Sequence, residues 1–133
     1  MLRGGLISYY RGKCKVFGID MVLKPEEGIV KGNSHHKSTF EQIKALIGGE
    51  VDVLFIDADH SYGGAKMDHE MYGSLVRKGG IIAFHDIINT AQLRKEHARG
   101  SCADYWAEIK NSNSIELIDE QDLHWGGIGV IYK

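Results

Sequence analysis

The chain has 133 residues, of which 43% are hydrophobic and 26% charged, and its formal net charge at pH 7 is -2. That suffices for one domain with one core, and it excludes a broadly basic surface for nucleic acid. No apolar run is long enough to span a membrane, and the N-terminal stretch MLRGGLISYYRGK lacks the apolar core of a secretion signal, so a cytoplasmic protein is expected.

In chain order, Lys15 to Asp20 is a strand candidate that ends in an acid, and Gly28 to Gly32 is a weaker one. Ser38 and Glu41 fit a capping box at the start of a helix. Phe40, Ile43, Leu46 and Ile47 follow at helical spacing, and Gly48-Gly49 stops the helix. Val51 to Ile56 is the clearest strand, apolar enough after Asp52 to be a central parallel strand covered on both faces. A helix is expected over Gly64 to Val76, with Met71, Tyr72, Leu75 and Val76 buried, ended by Arg77-Lys78-Gly79-Gly80. Gly80 to Phe84 is a second apolar strand, running into His85-Asp86. Ala103 to Lys110 is a helix that buries Tyr105, Trp106 and Ile109. Ser114 to Ile118 and Gly127 to Tyr132 are the last strands, and a link this short makes an antiparallel hairpin rather than a parallel crossover. The alternation predicts a single α/β domain with a mostly parallel sheet and one antiparallel strand inserted or added at an edge. Cys14 and Cys102 lie far apart without metal-site spacing and read as free thiols in a reducing compartment.

Ligands of open parallel sheets bind beyond the carboxyl ends of the strands. Three strand ends here carry acids: Asp20, Asp57 with Asp59, and Asp86 beside His85. Asp20 either caps a turn or accepts hydrogen bonds from a ribose. Asp59 and Ser61 are candidate caps for the next helix. Asp57, the first polar residue after a buried strand, is costly there unless paired. With His85 and Asp86 it offers three ligands to one divalent cation, the alternative being a hydrogen-bonded Asp-His pair without metal. His60 is either a proton acceptor near neutral pH or a solvent-facing histidine at a helix start. His35 and His36 sit in a loop, His69 and His97 read as surface residues, and His124 as a packing residue of the final hairpin.

The stretches VDVLFIDADHSY and LVRKGGIIAFHD, joined by a helix, resemble class I S-adenosylmethionine-dependent methyltransferases. The branch they resemble reads D-x-D-H-S-Y after its fourth strand and G-G-x-x-x-x-H-D at its fifth, with a W-x-x-[IL]-K helix beyond, matched here by Trp106 to Lys110. The resemblance covers about Lys15 to Lys133. It implies a Rossmann-like fold with S-adenosylmethionine as cofactor, Asp20 on its ribose, Asn33 and Ser34 near its adenine, and Asp57 at the fourth-strand position. Metal-dependent O-methyltransferases in the wider family bind a divalent cation such as Mg2+ through that aspartate and two residues ending the fifth strand, here His85 and Asp86. Their general-base lysine is replaced here by His60. The family's opening strand and glycine-rich E-x-G-x-x-x-G turn have no counterpart, and Arg3 to Tyr10 read as the helix that should follow, so the chain reads as N-terminally truncated. A sheet without that strand exposes unpaired backbone, which favours association between chains or a makeshift strand at Gly4 to Ile7.

Three functions compete at this point. The first is methyl transfer to the oxygen of a small molecule. The second is a non-catalytic assembly module that keeps the sheet alone. The third is a metal-dependent hydrolase built on Asp57, His60, His85 and Asp86, disfavoured because no G-x-S-x-G nucleophile motif occurs.

Overall fold

The computed structural model describes residues 12–22, 28–119 and 126–133. The expectations for Arg3 to Tyr10 and His124 fall outside them. The chain divides into two compact units, Met1–Gly49 and Glu50–Lys133.

In the first unit, strands β1 (Gly18–Asp20) and β2 (Ile29–Lys31) pair in parallel, with Ile19 opposite Val30. Helix α1 (Lys37–Ile47) follows. Among the described residues of this unit, Ile29 and Val30 on β2 and Thr39 and Ile43 on α1 are buried. The expected capping box is not formed. The N-cap is His36, which makes no side-chain cap, so Ser38 already lies inside the first turn. The stop at Gly48 holds: its φ of 68° is the left-handed C-cap that glycine adopts without strain. Of the apolar positions on the predicted stripe, Ile43 is buried and Leu46 is 47% exposed.

The second unit is a four-stranded sheet in the order β3-β4-β6-β5. Strand β3 (Val51–Ile56) leads through helix α2 (Tyr62–Tyr72) and a short 3-10 turn (Gly73–Leu75) into β4 (Val76–His85). Helices α3 (Ala91–Glu96) and α4 (Cys102–Ile109) then precede β5 (Ile115–Leu117) and β6 (Ile128–Tyr132). Strands β3 and β4 are parallel, and β6 runs against both of its neighbours, so the antiparallel strand is inserted between β4 and β5.

Two expectations change. Strand β3 is an edge strand of this sheet rather than a central one, and Val53 is 55% exposed. Arg77 to Gly80 do not end a helix but belong to β4, where the register slips: Val51 faces Val76, yet Val53 faces Ile81. Helix α3 had no apolar stripe long enough to announce it.

The core lies under β4. Trp106, Phe84 and Val76 are the large side chains most fully enclosed, joined by Ile56, Ala65, Ile82, Leu93 and Tyr105. The Trp106 indole N–H donates to Glu116, which satisfies its one polar atom. Gly129 on β6 lies flat against that indole: a Cβ there would stand 2.6 Å from Trp106 Cε2. This packing fixes β4, and with it the residues at its carboxyl end.

Candidate functional site

Parallel pairing of β3 with β4 sets Ile56 opposite Phe84, so both strands stop at the same level and deliver Asp57 and His85-Asp86 side by side. The segment after β3 turns at once. Asp59 accepts the Ser61 N–H at 2.9 Å, and Ser61 caps α2 by accepting the Gly64 N–H at 3.0 Å. Of the two candidate caps, Ser61 is the one that caps the helix, while Asp59 shapes the turn before it, and His60 is left facing the strand ends.

Four side chains meet there. His60 Nδ1 lies 2.9 Å from Asp86 Oδ2, and its Nε2 lies 3.5 Å from Asp57 Oδ1. His85 Nδ1 is buried and stands 3.2 Å from a carboxylate oxygen of each aspartate. The electrostatics follow from this. Hydrogen bonding to Asp57, then to Asp86, raises the His60 pKa to about 10 against the opposing effect of burial. The same two partners, Asp57 first, raise His85 to about 9. Burial pushes Asp57 upward, but His60 and His85 together outweigh it and bring its pKa to about 2. Asp86 is lowered likewise, burial again being overcome by the two imidazoles. Carboxylates and imidazoles therefore hold one another charged.

The surroundings hold the site from behind. The Cys102 N–H donates to the His60 carbonyl at 2.8 Å, and the Cys102 thiol donates to the Asp86 carbonyl at 3.1 Å. Burial pushes that thiol up to about 12, which keeps it protonated and a donor. Ser101 and Asp104 form a true capping box for α4, and Asn89 bridges the two, accepting from the Ser101 hydroxyl and donating to Asp104. The spacing Ser101-x-x-Asp104 is legible in the sequence and could have placed this helix start. No comparable signal marks Cys102. His97, read as a surface residue, has its ring 6.4 Å from that of His60.

In the other unit, Asp20 Oδ1 accepts the Val22 N–H at 2.6 Å, and Asn33 Oδ1 accepts the His35 N–H at 2.8 Å. Both side chains shape their own turns. Ser34 lies in the same turn as Asn33, which the His36 N–H closes by donating to the Asn33 carbonyl.

Whether a divalent cation suits the cluster is a question of donors. Asp57, His60 and Asp86 each offer one ligand atom, and these atoms lie within 4.8 Å of one another. His85 Nδ1 lies against both carboxylates as well. Two carboxylates with imidazole nitrogen suit Mg2+, Mn2+ or a later divalent metal, so the residues fit.

Residues 23–87 match the model of a family described as a methyltransferase domain. Asn33, Ser34, Asp57, His60, His85 and Asp86 all lie inside that segment. Over 57 residues the chain is 39% identical to an uncharacterized protein of Acanthamoeba polyphaga mimivirus, covering 43% of this chain and 25% of that protein. In fold it is similar to the MycE methyltransferase from the mycinamycin biosynthetic pathway, in a complex with Mg, SAH and mycinamycin VI. The TM-score is 0.64 at 16% sequence identity, over 98% of this chain and 40% of that one. A crystal form of the same enzyme with Mg and SAH gives 0.63 at 14% identity, with the same coverage. The chain thus spans 25% of the length of the viral protein and 40% of MycE. Among the described residues, no helix is long and apolar enough to cross a membrane.

Proposed function

Taking the chain as a member of the class I S-adenosylmethionine-dependent methyltransferases, we propose that it transfers a methyl group to the oxygen of a small molecule, with a divalent cation at the ends of β3 and β4. The convergence of Asp57, His60, His85 and Asp86 carries this reading. Asp57, His85 and Asp86 are the ligands, and His60 is the proton acceptor. The reading keeps Asp20, Asn33, Ser34 and Asp57 as cofactor contacts and residues 1–133 as one methyltransferase-like domain. MycE, whose fold the chain shares, binds Mg, SAH and a small-molecule macrolide, which supports the choice of ligands.

The residues divide the work as follows. A bound divalent cation supplies positive charge that lowers the pKa of an acceptor hydroxyl. Asp57 and Asp86 pull His60 toward its protonated form, with a pKa of about 10, and an imidazolium cannot act as a base. With a cation sharing the charge of Asp57 and Asp86, the pull on that proton would be weaker, and His60 would be able to accept one from the acceptor hydroxyl. Bound S-adenosylmethionine would supply the electrophilic methyl on its sulfonium sulfur, and His60 would hold the hydroxyl proton as the methyl passes to the acceptor oxygen and S-adenosylhomocysteine is released. Positioning supplies much of the rate in such a transfer.

Isothermal titration of the full chain with S-adenosylhomocysteine and, separately, with Mn2+ tests the proposal. Binding of both is expected, with Asp57→Ala abolishing the Mn2+ response. A folded sample that takes up neither at millimolar concentration sinks it.

A further inference from the structure

Asp86 has a backbone that its neighbours must enforce. Among the described residues other than glycine, it alone has positive φ, at 58°. An aspartate tolerates that region better than most residues, but at a cost that surrounding contacts must offset. Those contacts come from two directions. On one side, the Cys102 thiol donates to the Asp86 carbonyl. On the other, the chain entering β6 passes antiparallel to the chain leaving β4. The Asp86 N–H donates to the Gly127 carbonyl at 3.1 Å, and the Ile88 N–H donates to the Gly126 carbonyl at 3.0 Å.

This second side brings Gly126 directly under the carboxylate. A Cβ at position 126 would lie 2.8 Å from Asp86 Cα and 2.9 Å from its Cγ, and would overlap Oδ1. The neighbouring glycine differs in this respect alone. Gly126 and Gly127 have nearly the same backbone, with φ of 78° and 71°. A Cβ on Gly127 would instead meet Ile87 Cγ1 at 3.2 Å, the Leu117 carbonyl at 3.3 Å and Ile118 Cγ1 at 3.4 Å, all away from Asp86. Both positions have the left-handed φ that favours glycine, but only position 126 has the site's carboxylate where a Cβ would stand.

We propose that Gly126 is a positioning residue of the Asp57–His60–Asp86 cluster: its missing side chain is the space into which the Asp86 carboxylate turns to meet His60. The assignment deepens the cation-assisted reading and rests on it for its consequence in catalysis. Any side chain at position 126 displaces Asp86 Oδ1, which lies 3.2 Å from His85 Nδ1, and by pushing Cγ and Cα with it also moves Oδ2, the oxygen 2.9 Å from His60 Nδ1. The sequence hides this role because Trp125-Gly126-Gly127-Ile128 reads as an ordinary turn into the last strand.

The matched pair Gly126→Asn and Gly127→Asn tests the assignment. Asparagine accepts left-handed φ with little strain, so both variants keep the turn and differ in where the new Cβ points. The first readout is the 15N and proton resonance of His60 Nδ1 in chelator-treated protein, which reports the hydrogen bond to Asp86. It is expected to be lost in Gly126→Asn and kept in Gly127→Asn. The second is Mn2+ affinity, expected to fall about 10-fold or more in Gly126→Asn, as for other partners that orient metal ligands, and to stay within about 2-fold of wild type in Gly127→Asn. Retention of the His60 signal in Gly126→Asn overturns the proposal, and so does its equal loss in both variants. Wild-type protein with the His60 signal but no Mn2+ binding sinks the cation reading and leaves the positioning role to be decided by the signal. Should Gly126→Asn fail to fold, the Asp86→Gly background decides. Recovered folding in the double variant supports the clash with Asp86, and no recovery refutes it.

Discussion

Two strand ends in this molecule carry the same sequence mark, an aspartate following an apolar run, and do different things. At the end of β1, Asp20 accepts from the backbone two residues on, at Val22. At the end of β3, Asp57 reaches His60 and His85, from two segments, and is held well below the usual carboxylate range by them. Both acids end a parallel strand. Asp57 has two histidines within reach, one supplied by its own turn and one by the neighbouring strand. An acid at a strand end marks a rim, and its partners decide what the rim can bind.

The largest effect expected is on the frame behind the richer end. Trp106→Ala removes a side chain that is 1% exposed and should destabilise the protein by about 3–5 kcal/mol, read as a lower urea midpoint. Ile43→Ala, under the plainer strand end, should cost about 2–5 kcal/mol. If the Trp106 variant binds Mn2+ as wild type does at a temperature where it is folded, the packing of β4 is not what aligns the cluster.

The acids themselves sharpen the contrast next. Asp57→Ala should lower Mn2+ affinity by about 100-fold, the upper end for disrupting a metal site. Asp20→Ala should leave Mn2+ affinity unchanged and weaken S-adenosylhomocysteine binding. Equal loss of Mn2+ in both variants, by titration calorimetry, would erase the distinction between the two ends.

Much of this was legible because burial and chemistry alternate cleanly along the second half of the chain. VDVLFI and GGIIAF are apolar enough to be strands, and the polar residues after them had to fall on one rim. The parallel pairing of Ile56 with Phe84 confirms that placement. The proximity of His60 to Asp57 follows from a spacing of three residues. Its contact with Asp86 does not, because the turn shaped by Asp59 and Ser61 is what swings the imidazole toward β4. The edge position of β3 was not legible either: apolarity reports that a strand is covered, not which neighbours pair with it. The failed capping box at Ser38 shows the limit of local motifs, since Ser101 and Asp104 fit the same rule and do form one. Gly126 was invisible for a similar reason. What it excludes is a side chain 40 positions away.

The charge network predicts a pH dependence at the richer end. His60 is raised to about 10 and His85 to about 9, from an ordinary 6.5. A raised histidine stabilises fully below its unfolded value and loses that contribution as pH rises through the folded one. In chelator, the melting temperature should therefore hold below about pH 6.5 and decline toward pH 10, and His60→Gln should flatten that decline. Asp57 has the opposite sign: lowered from 3.8 to about 2, it stabilises above pH 3.8 and loses that contribution as pH falls toward 2. A wild-type curve that parallels His60→Gln across the alkaline range would show that His60 is not bound to the two carboxylates in solution.

The smallest expected effect concerns how His60 is presented. Ser61 Oγ accepts the Gly64 N–H and caps α2, one residue beyond the imidazole. Losing such a cap costs about 1 kcal/mol. Ser61→Ala should therefore lower stability by about that much, measured in urea. The same loop is also tied at its backbone, where Cys102 N–H donates to the His60 carbonyl and Tyr62 N–H donates to the Gly100 carbonyl. Those two bonds are independent of the Ser61 hydroxyl and should keep His60 in place, so Mn2+ affinity in Ser61→Ala should stay within about 2-fold of wild type, in contrast to the loss that follows removal of a group that orients a metal ligand. A 10-fold loss would mean that the cap, rather than the backbone ties to α4, holds the histidine over the strand ends. The distinction at β3 would then rest on a single hydroxyl rather than on the junction of three segments.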